Sequence, residues 1–257
     1  MIDIHSHILN NVDDGSTSLE SSLEILKKAE QAGFTDIILT PHFIEGYYEN
    51  TKSEINPRIK ELKQAVYDEN IVVSLYHGNE IFLTENSPKL VYESQAATLA
   101  NSRYVLFEVP FTTRMMNLEE IIGQFMEIGC IPVLAHPERF QFIQDNPTDL
   151  IRLLKLGVLA QSNYGSFIGM YGKEVKKTAE ILVENRLVQF LGSDTHRHGH
   201  IYENIDRIIK RLELLTGDSK YINELTTINP KSILEDMDIY YEFPSSLKEK
   251  KNVFFFF

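Results

Sequence analysis

The stretches Ile2-Asp3-Ile4-His5-Ser6-His7 and Asp36-Ile37-Ile38-Leu39-Thr40-Pro41-His42 decide the fold, because each is a short apolar run that ends on histidine. Between them, residues 18–32 carry Leu19, Leu23, Leu26 and Ala29 at helical spacing, and Gly33 follows as a stop. Five more runs of the same kind occupy residues 71–76, 104–108, 131–135, 158–161 and 187–191. With 2–5 and 36–40 they make seven. All are rich in Val, Ile, Leu and Phe without clean polar alternation, the pattern of strands buried on both faces.

Helical segments separate the strands. Asn117-Leu118-Glu119-Glu120 reads as an N-cap with acid at the third helical position. Residues 173–185 and 202–215 read as helices, and Asn229-Pro230 as the start of a final one. Strand alternating with helix implies a parallel sheet with right-handed crossovers. Seven such units in 257 residues point to an α/β fold, a distorted seven-stranded TIM-like barrel one unit short of eight, since a barrel takes about 250 residues. We expect the barrel to span residues 1–236. A tail, 237–257, changes character, with Tyr240, Tyr241, Lys248, Lys250, Lys251 and four terminal phenylalanines. It reads as a surface segment, or as a docking element for a partner or membrane surface.

Composition excludes several classes. Net charge is −12, which repels nucleic acid. No run of about 18 apolar residues is present to span a membrane. The first residues lack a basic start and apolar core, so a cytoplasmic location is expected. The single cysteine, Cys130, excludes an internal disulfide framework. It also lacks the Arg six positions on that a cysteine phosphatase loop needs, since His136 stands there.

Side chains of metal-ligand type recur where strands end. His5 and His7 lie two apart, so in extended chain both imidazoles reach one metal. His42 follows the second strand, Glu80 the third and His136 the fifth; Glu108 ends the fourth; Asp194 and His196 follow the seventh. Asp13 and Asp14 sit in the first loop. Barrel enzymes place their catalytic groups at this end of the strands. So many titratable groups on one rim need neutralising, and metal ions do that. Mixed imidazole and carboxylate suits Mn, Fe or Zn better than Ca.

Asp3-Ile4-His5-Ser6-His7, Asp13-Asp14-Gly15, Thr40-Pro41-His42, Gly78-Asn79-Glu80, His136-Pro137-Glu138-Arg139 and Ser193-Asp194-Thr195-His196 together resemble the polymerase-and-histidinol-phosphatase (PHP) superfamily. More narrowly, the chain is similar to the bacterial manganese-dependent protein-tyrosine phosphatases of capsule and exopolysaccharide operons. The resemblance implies up to three Mn ions. His5, His7, Glu80 and Asp194 would hold the first; Glu80, Glu108 and His136 the second; Asp14, His42 and His196 the third. It also implies that Arg139 binds the phosphate, and that the partner is an autophosphorylating tyrosine kinase with clustered tyrosines.

Two rim loops are aromatic, with Phe43, Tyr47 and Tyr48 after the second strand and Tyr164, Phe167 and Tyr171 after the sixth. Phe43 and Tyr47 are expected to hold a phosphotyrosine ring. The alternative substrate is a small molecule such as histidinol phosphate, whose amine Glu45 or Glu49 could meet. Arg114, Arg197, His198 and His200 are rim candidates of lesser weight, and His77 reads as structural.

Overall fold

A computed structural model describes residues 1–242 and 244–247. Lys248, Lys250, Lys251 and the four phenylalanines lie outside the described residues. Ten strands form among the described residues: β1 (Ile2–Asp3), β2 (Asp36–Leu39), β3 (His42–Ile44), β4 (Tyr48–Glu49), β5 (Ser74–His77), β6 (Glu80–Phe82), β7 (Tyr104–Glu108), β8 (Ile131–Ala135), β9 (Leu159–Asn163) and β10 (Phe190–Gly192). They pair as β1-β2-β5 and as β10-β9-β8-β7-β6-β3-β4, parallel throughout except for the β3–β4 hairpin.

These two sheets are one ring of seven staves. β2 and β3 are the lower and upper halves of the second stave, broken at Pro41; β5 and β6 are halves of the third, broken at Gly78-Asn79. Backbone bonds carry the ring across the breaks: Thr40 N to Ser6 O at 2.8 Å, Gly78 N to Leu39 O at 2.8 Å and Glu80 N to Pro41 O at 3.2 Å. A bridge between Ser6 and Thr195 closes it. The breaks have local causes. Pro41 has no N–H for the ladder. A Cβ on Gly78 would stand 2.9 Å from Leu99 Cδ2, so only glycine lets the chain pass that close. The expected seven-unit barrel is therefore present, with two of its strands split.

Alternation assigns each side chain a face. Tyr104, Leu106, Val133, Ala135 and Leu159 fill the barrel with Ile4, Leu99 and Phe190. Their neighbours Val105, Phe107, Leu134 and Ala160 pack outward under the helices. Ile239 and Tyr241 pack against the inner cluster, and the Tyr104 hydroxyl donates to Met237 O at 2.5 Å. The start of the tail thus covers the end of the barrel away from the histidines.

Three helical expectations are corrected. The first helix, Leu19–Gln31, is capped by the Ser18 side chain, which accepts from Ser21 N. Ser22 and Ile25 join Leu26 and Ala29 in its buried stripe, Ser22 donating to Ile8 O at 2.6 Å, while Leu19 and Leu23 pack against the core only partly buried. Asn117 makes no cap bond and instead donates to Glu85 at 2.7 Å. The helix expected at 202–215 starts earlier and breaks at Asn204, giving His200–Glu203 and Ile205–Thr216. The final helix, Asn229–Leu234, forms as expected with Pro230 in its first turn, and it is entered from a wide turn at Glu224–Ile228. A widened turn is where a helix tolerates the N–H missing from Pro230.

Candidate metal and phosphate site

All nine histidine and acid residues expected at the rim converge. β6 presents Glu80 inward while Ile81 packs outward, and β7 ends on Glu108 in the parity of Tyr104 and Leu106. His136 follows β8 and Asp194 follows β10, both with left-handed backbone, at φ 32° and 49°. Such backbone costs a non-glycine residue about 1–3 kcal/mol and clusters at functional sites.

Glu80 stands at the centre. Its Oε1 lies 2.8 Å from His136 Nε2 and 3.4 Å from His5 Nε2; its Oε2 lies 3.1 Å from His42 Nδ1 and 3.3 Å from His7 Nε2. Glu108 approaches His42 at 3.5 Å and His136 at 3.7 Å. Asp14 approaches His196 at 3.3 Å and His42 at 3.6 Å. Four sets of donors lie close enough to share an ion: His7-Asp14-His42-His196, His5-His7-Glu80, His5-His136-Asp194 and His42-Glu80-Glu108. The expected division differs in detail, since Glu80 and Glu108 group here with His42, and His136 with His5 and Asp194.

The imidazoles are oriented from behind. His5 Nδ1 donates to Gln161 Oε1 at 2.8 Å and His7 Nδ1 to Asp13 Oδ2 at 2.7 Å. Their Nε2 atoms are thereby turned inward, 3.2 Å apart. His196 Nδ1 donates to Asp194 O at 3.0 Å, leaving Nε2 toward Asp14. Asp13 also accepts the backbone N–H of Gly15 and His42. Gly15 is required there, because a Cβ would stand 2.1 Å from His7 O.

These supporting residues escape a reading that looks only for ligand types. Asn163 donates to Asp194 Oδ2 at 2.6 Å and is itself held by Gln161, which donates at 2.9 Å. The buried Glu138 carboxylate accepts from Ser162, Asn163 N and Ser166. Alternate polar residues on the fully buried β9, Gln161 and Asn163, were the available signal.

Electrostatics follow from crowding. Burial alone would depress the His5 pKa, but Glu80 and Asp194 raise it to about 10. His42 is raised to about 9 against its own burial by Glu80 and Glu108. Asp194, which burial would raise, is held near about 2 by His5 and His136. Glu108 goes the other way: burial and the Glu80 charge push it to about 8. Among the described residues five buried side-chain atoms have no hydrogen-bond partner, and three of them lie in the cluster: His42 Nδ1, Glu80 Oε2 and His136 Nδ1. Orphaned donors and acceptors on facing imidazoles and carboxylates are the chemistry a divalent cation satisfies.

Arg139 donates to Asp194 Oδ2 at 3.0 Å. Its guanidinium is sandwiched, 4.5 Å from the Phe111 ring centre and 4.8 Å from that of Tyr171. It lines a cleft of about 270 Å³ with Tyr171, Asp194, His196, Arg197 and His200. Tyr171 is therefore at the site. Tyr164 and Phe167 are buried in the core.

The other aromatic loop differs from expectation. Phe43 is 3% exposed and belongs to the core outside the barrel. Alternation on β3 turns it away from His42, so it cannot touch a substrate. Tyr48 instead lies parallel over His42, ring centres 6.2 Å apart, and Tyr47 packs edge-on against Tyr48 at 4.5 Å. Tyr47 is exposed beside Tyr48. Arg114 is tied to Glu119 and Asp149. His77 is partly buried on β5 and no member of the cluster; Cys130 packs half-buried against the core.

Fold and rim together define a PHP-type barrel carrying a metal-binding donor set. The chain belongs to the CpsB/CapC family of capsular polysaccharide synthesis, which it matches over residues 1–235. It is 30% identical to the tyrosine-protein phosphatase YwqE of Bacillus subtilis, over all of both chains. It is 31% identical to the putative tyrosine-protein phosphatase CapC of Staphylococcus aureus, over 98% of each. A crystal structure from work on YwqE and on CpsB of Streptococcus pneumoniae, described as unique metal-dependent tyrosine phosphatases, superimposes with a TM-score of 0.90 at 30% identity. It covers 97% of this chain and 100% of that one. The phosphotriesterase homology protein of Escherichia coli shares the fold alone, with a TM-score of 0.58 at 12% identity, over 91% of this chain and 98% of that one. Among the described residues no helix is long and apolar enough to cross a membrane.

Proposed function

We propose that this chain is a metal-dependent protein-tyrosine phosphatase that hydrolyses phosphotyrosine on an autophosphorylating bacterial kinase of capsule or exopolysaccharide synthesis. The observation that carries the chemistry is the pair of inward Nε2 atoms of His5 and His7, 3.2 Å apart, with each Nδ1 already committed. We read His5, His7, Asp14, His42, Glu80, Glu108, His136, Asp194 and His196 as the ligands, Glu80 as the shared one, and Mn as the ion. Bound divalent ions supply Lewis-acid stabilisation of phosphoryl oxygens and lower the pKa of water.

The chain's own residues do the rest. Gln161 and Asp13 fix the tautomers of His5 and His7, and such partners raise ligand basicity. Arg139, immobilised between two rings and Asp194, offers a preorganised fork to the phosphate, which costs no reorganisation as charge develops. Tyr47 and Tyr48 stand where a phenyl ring would enter above His42. Tyrosinate leaves readily, because the phenol pKa is about 10.

The histidinol phosphate reading is disfavoured by a specific observation. Glu45 accepts from Asn86 and Thr84 of the neighbouring loop, and Glu49 accepts from Gly46 N of its own, so both acids are already engaged. We read residues 1–236 as the catalytic unit, 237–257 as an accessory segment, and the cytoplasm, where such a kinase domain would lie, as its place of action. The test is kcat/KM for phosphotyrosyl and phosphoseryl versions of one peptide and for histidinol phosphate. The aryl ester should lead by about tenfold, equivalent to about 1.4 kcal/mol in the transition state. A lead for histidinol phosphate would overturn the assignment.

A further inference from the structure

Beside the catalytic cleft runs a second groove, of about 560 Å³, between the helices Lys173–Glu184 and Ile205–Thr216. The two depressions are contiguous along the chain. His200 and Ile201 line the cleft, and Glu203 and Asn204 line the groove, all within or next to the short helix His200–Glu203. Met170 borders the first and Ile168 the second.

The groove pairs an apolar wall with unspent positive charge. Leu214 is 80% exposed and faces it together with the partly buried Ile168. Arg211 and Lys176 also line it but are engaged by Glu180. Glu203 is engaged by Lys28 and His200. Arg207 and Lys210, one helical turn apart and exposed, make no ion pair among the described residues; Asp206 is the remaining acid of the lining. In a chain of net charge −12, a groove with two uncommitted cations, bordered by the same short helix as the cleft, is unexpected for a merely solvated face. Arg197, exposed and likewise without an ion pair among the described residues, lines the cleft with Arg139.

Resting on the phosphatase reading above, we propose that this groove is a substrate-docking site for a second phosphorylated tyrosine of the same peptide. Its ring would lie on Ile168 and Leu214 and its phosphate against Arg207 and Lys210, while the phosphotyrosine being hydrolysed occupies the cleft. A lone carboxylate would satisfy the cations but leave the apolar wall uncovered, which is why an aryl phosphate is the better complement. Substrates with several phosphotyrosines would then be bound through one and cleaved at another.

The experiment uses the full, Mn-loaded chain and synthetic peptides with two tyrosines, separated by spacers of about three to eight residues, up to about 27 Å of reach. One set carries two phosphotyrosines, one carries phosphotyrosine and tyrosine, and one carries phosphotyrosine and glutamate. At the best spacer the doubly phosphorylated peptide should show a kcat/KM higher by about fivefold, mostly through KM, the scale of two exposed ion pairs. Arg207→Glu with Lys210→Glu should abolish that ratio. The same reversal at Lys60 and Lys63, on the exposed face of the helix Lys52–Asp68, should leave it intact. Equal efficiencies for all three peptides would overturn the docking site. So would an equal loss in the control variant, which would assign the effect to the general field of the protein. An equal gain from glutamate would overturn the phosphotyrosine assignment. Failure to turn over any phosphotyrosyl peptide would instead remove the phosphatase reading itself.

Discussion

Asp13 accepts a hydrogen bond of 2.7 Å from Nδ1 of His7 and so decides which nitrogen of that ring faces the rim. The adjacent Asp14 faces the cluster directly, toward His42 and His196. Neighbouring acids thus take different tasks. Asp13→Ala should leave the fold intact and weaken metal binding by about 10–100-fold, the usual cost of losing such a partner. Competition with a chromogenic chelator measures this. Unchanged affinity would show that His7 needs no orienting partner.

Arg139 is held by Asp194 and by two aromatic faces. Arg139→Ala should keep its metal content and lose about 10²–10³-fold in kcat, the scale for removing one donor to a developing anion. Arg139→Lys should rescue little, because an ammonium neither stacks nor forks. Metal analysis beside steady-state kinetics separates the outcomes; loss of metal would make Arg139 a support for Asp194 instead.

Phe43 and Tyr48 are expected to separate stability from specificity. Phe43→Ala should lower the melting temperature strongly, by about 3–5 kcal/mol of unfolding free energy. Tyr48→Ala should melt almost normally but lower kcat/KM for a phosphotyrosyl peptide by about 2–12-fold, matching about 0.5–1.5 kcal/mol for a ring pair. Hydrolysis of a phosphoseryl peptide should not change. A Phe43→Ala protein of normal stability would contradict its burial.

The metal-free protein should show a distinct pH profile. His5 and His42 have folded pKa values raised to about 10 and about 9, above the ordinary 6.5. Their contribution to stability is complete below 6.5 and is lost as pH rises through 9 to 10. Asp194 is depressed to about 2, so its contribution is present above the ordinary 3.8 and is lost as pH falls toward 2. Melting of stripped protein should therefore weaken at both ends. Metal binding needs neutral imidazoles, so affinity should rise with pH and uptake near pH 7 should release protons. Calorimetry in two buffers of different ionisation enthalpy detects that release; buffer-independent heats would contradict the raised values.

Much of this was legible in the residues. His5, His42, Glu80, His136 and Asp194 are readable because each sits where an apolar run stops, and a barrel turns that position into a rim. The break of two strands at Pro41 and Gly78 was not, since short apolar runs do not reveal where pairing shifts from one neighbour to the next. Phe43 was misplaced for a related reason: a residue beside a ligand looks like a rim residue until its strand register is known, and β3 turns it outward. Gln161 and Asn163 were overlooked because a neutral amide on a strand carries no ligand signature. Only packing shows that they aim His5 and Asp194.

The most direct test of the account is turnover of a phosphotyrosyl peptide by protein stripped of metal and then given Mn, with Glu80→Gln alongside. Glu80 touches His5, His7, His42 and His136, and the account predicts no turnover by the stripped protein, full recovery with Mn, and no comparable recovery for the variant. Turnover by protein verified to be free of metal would contradict it.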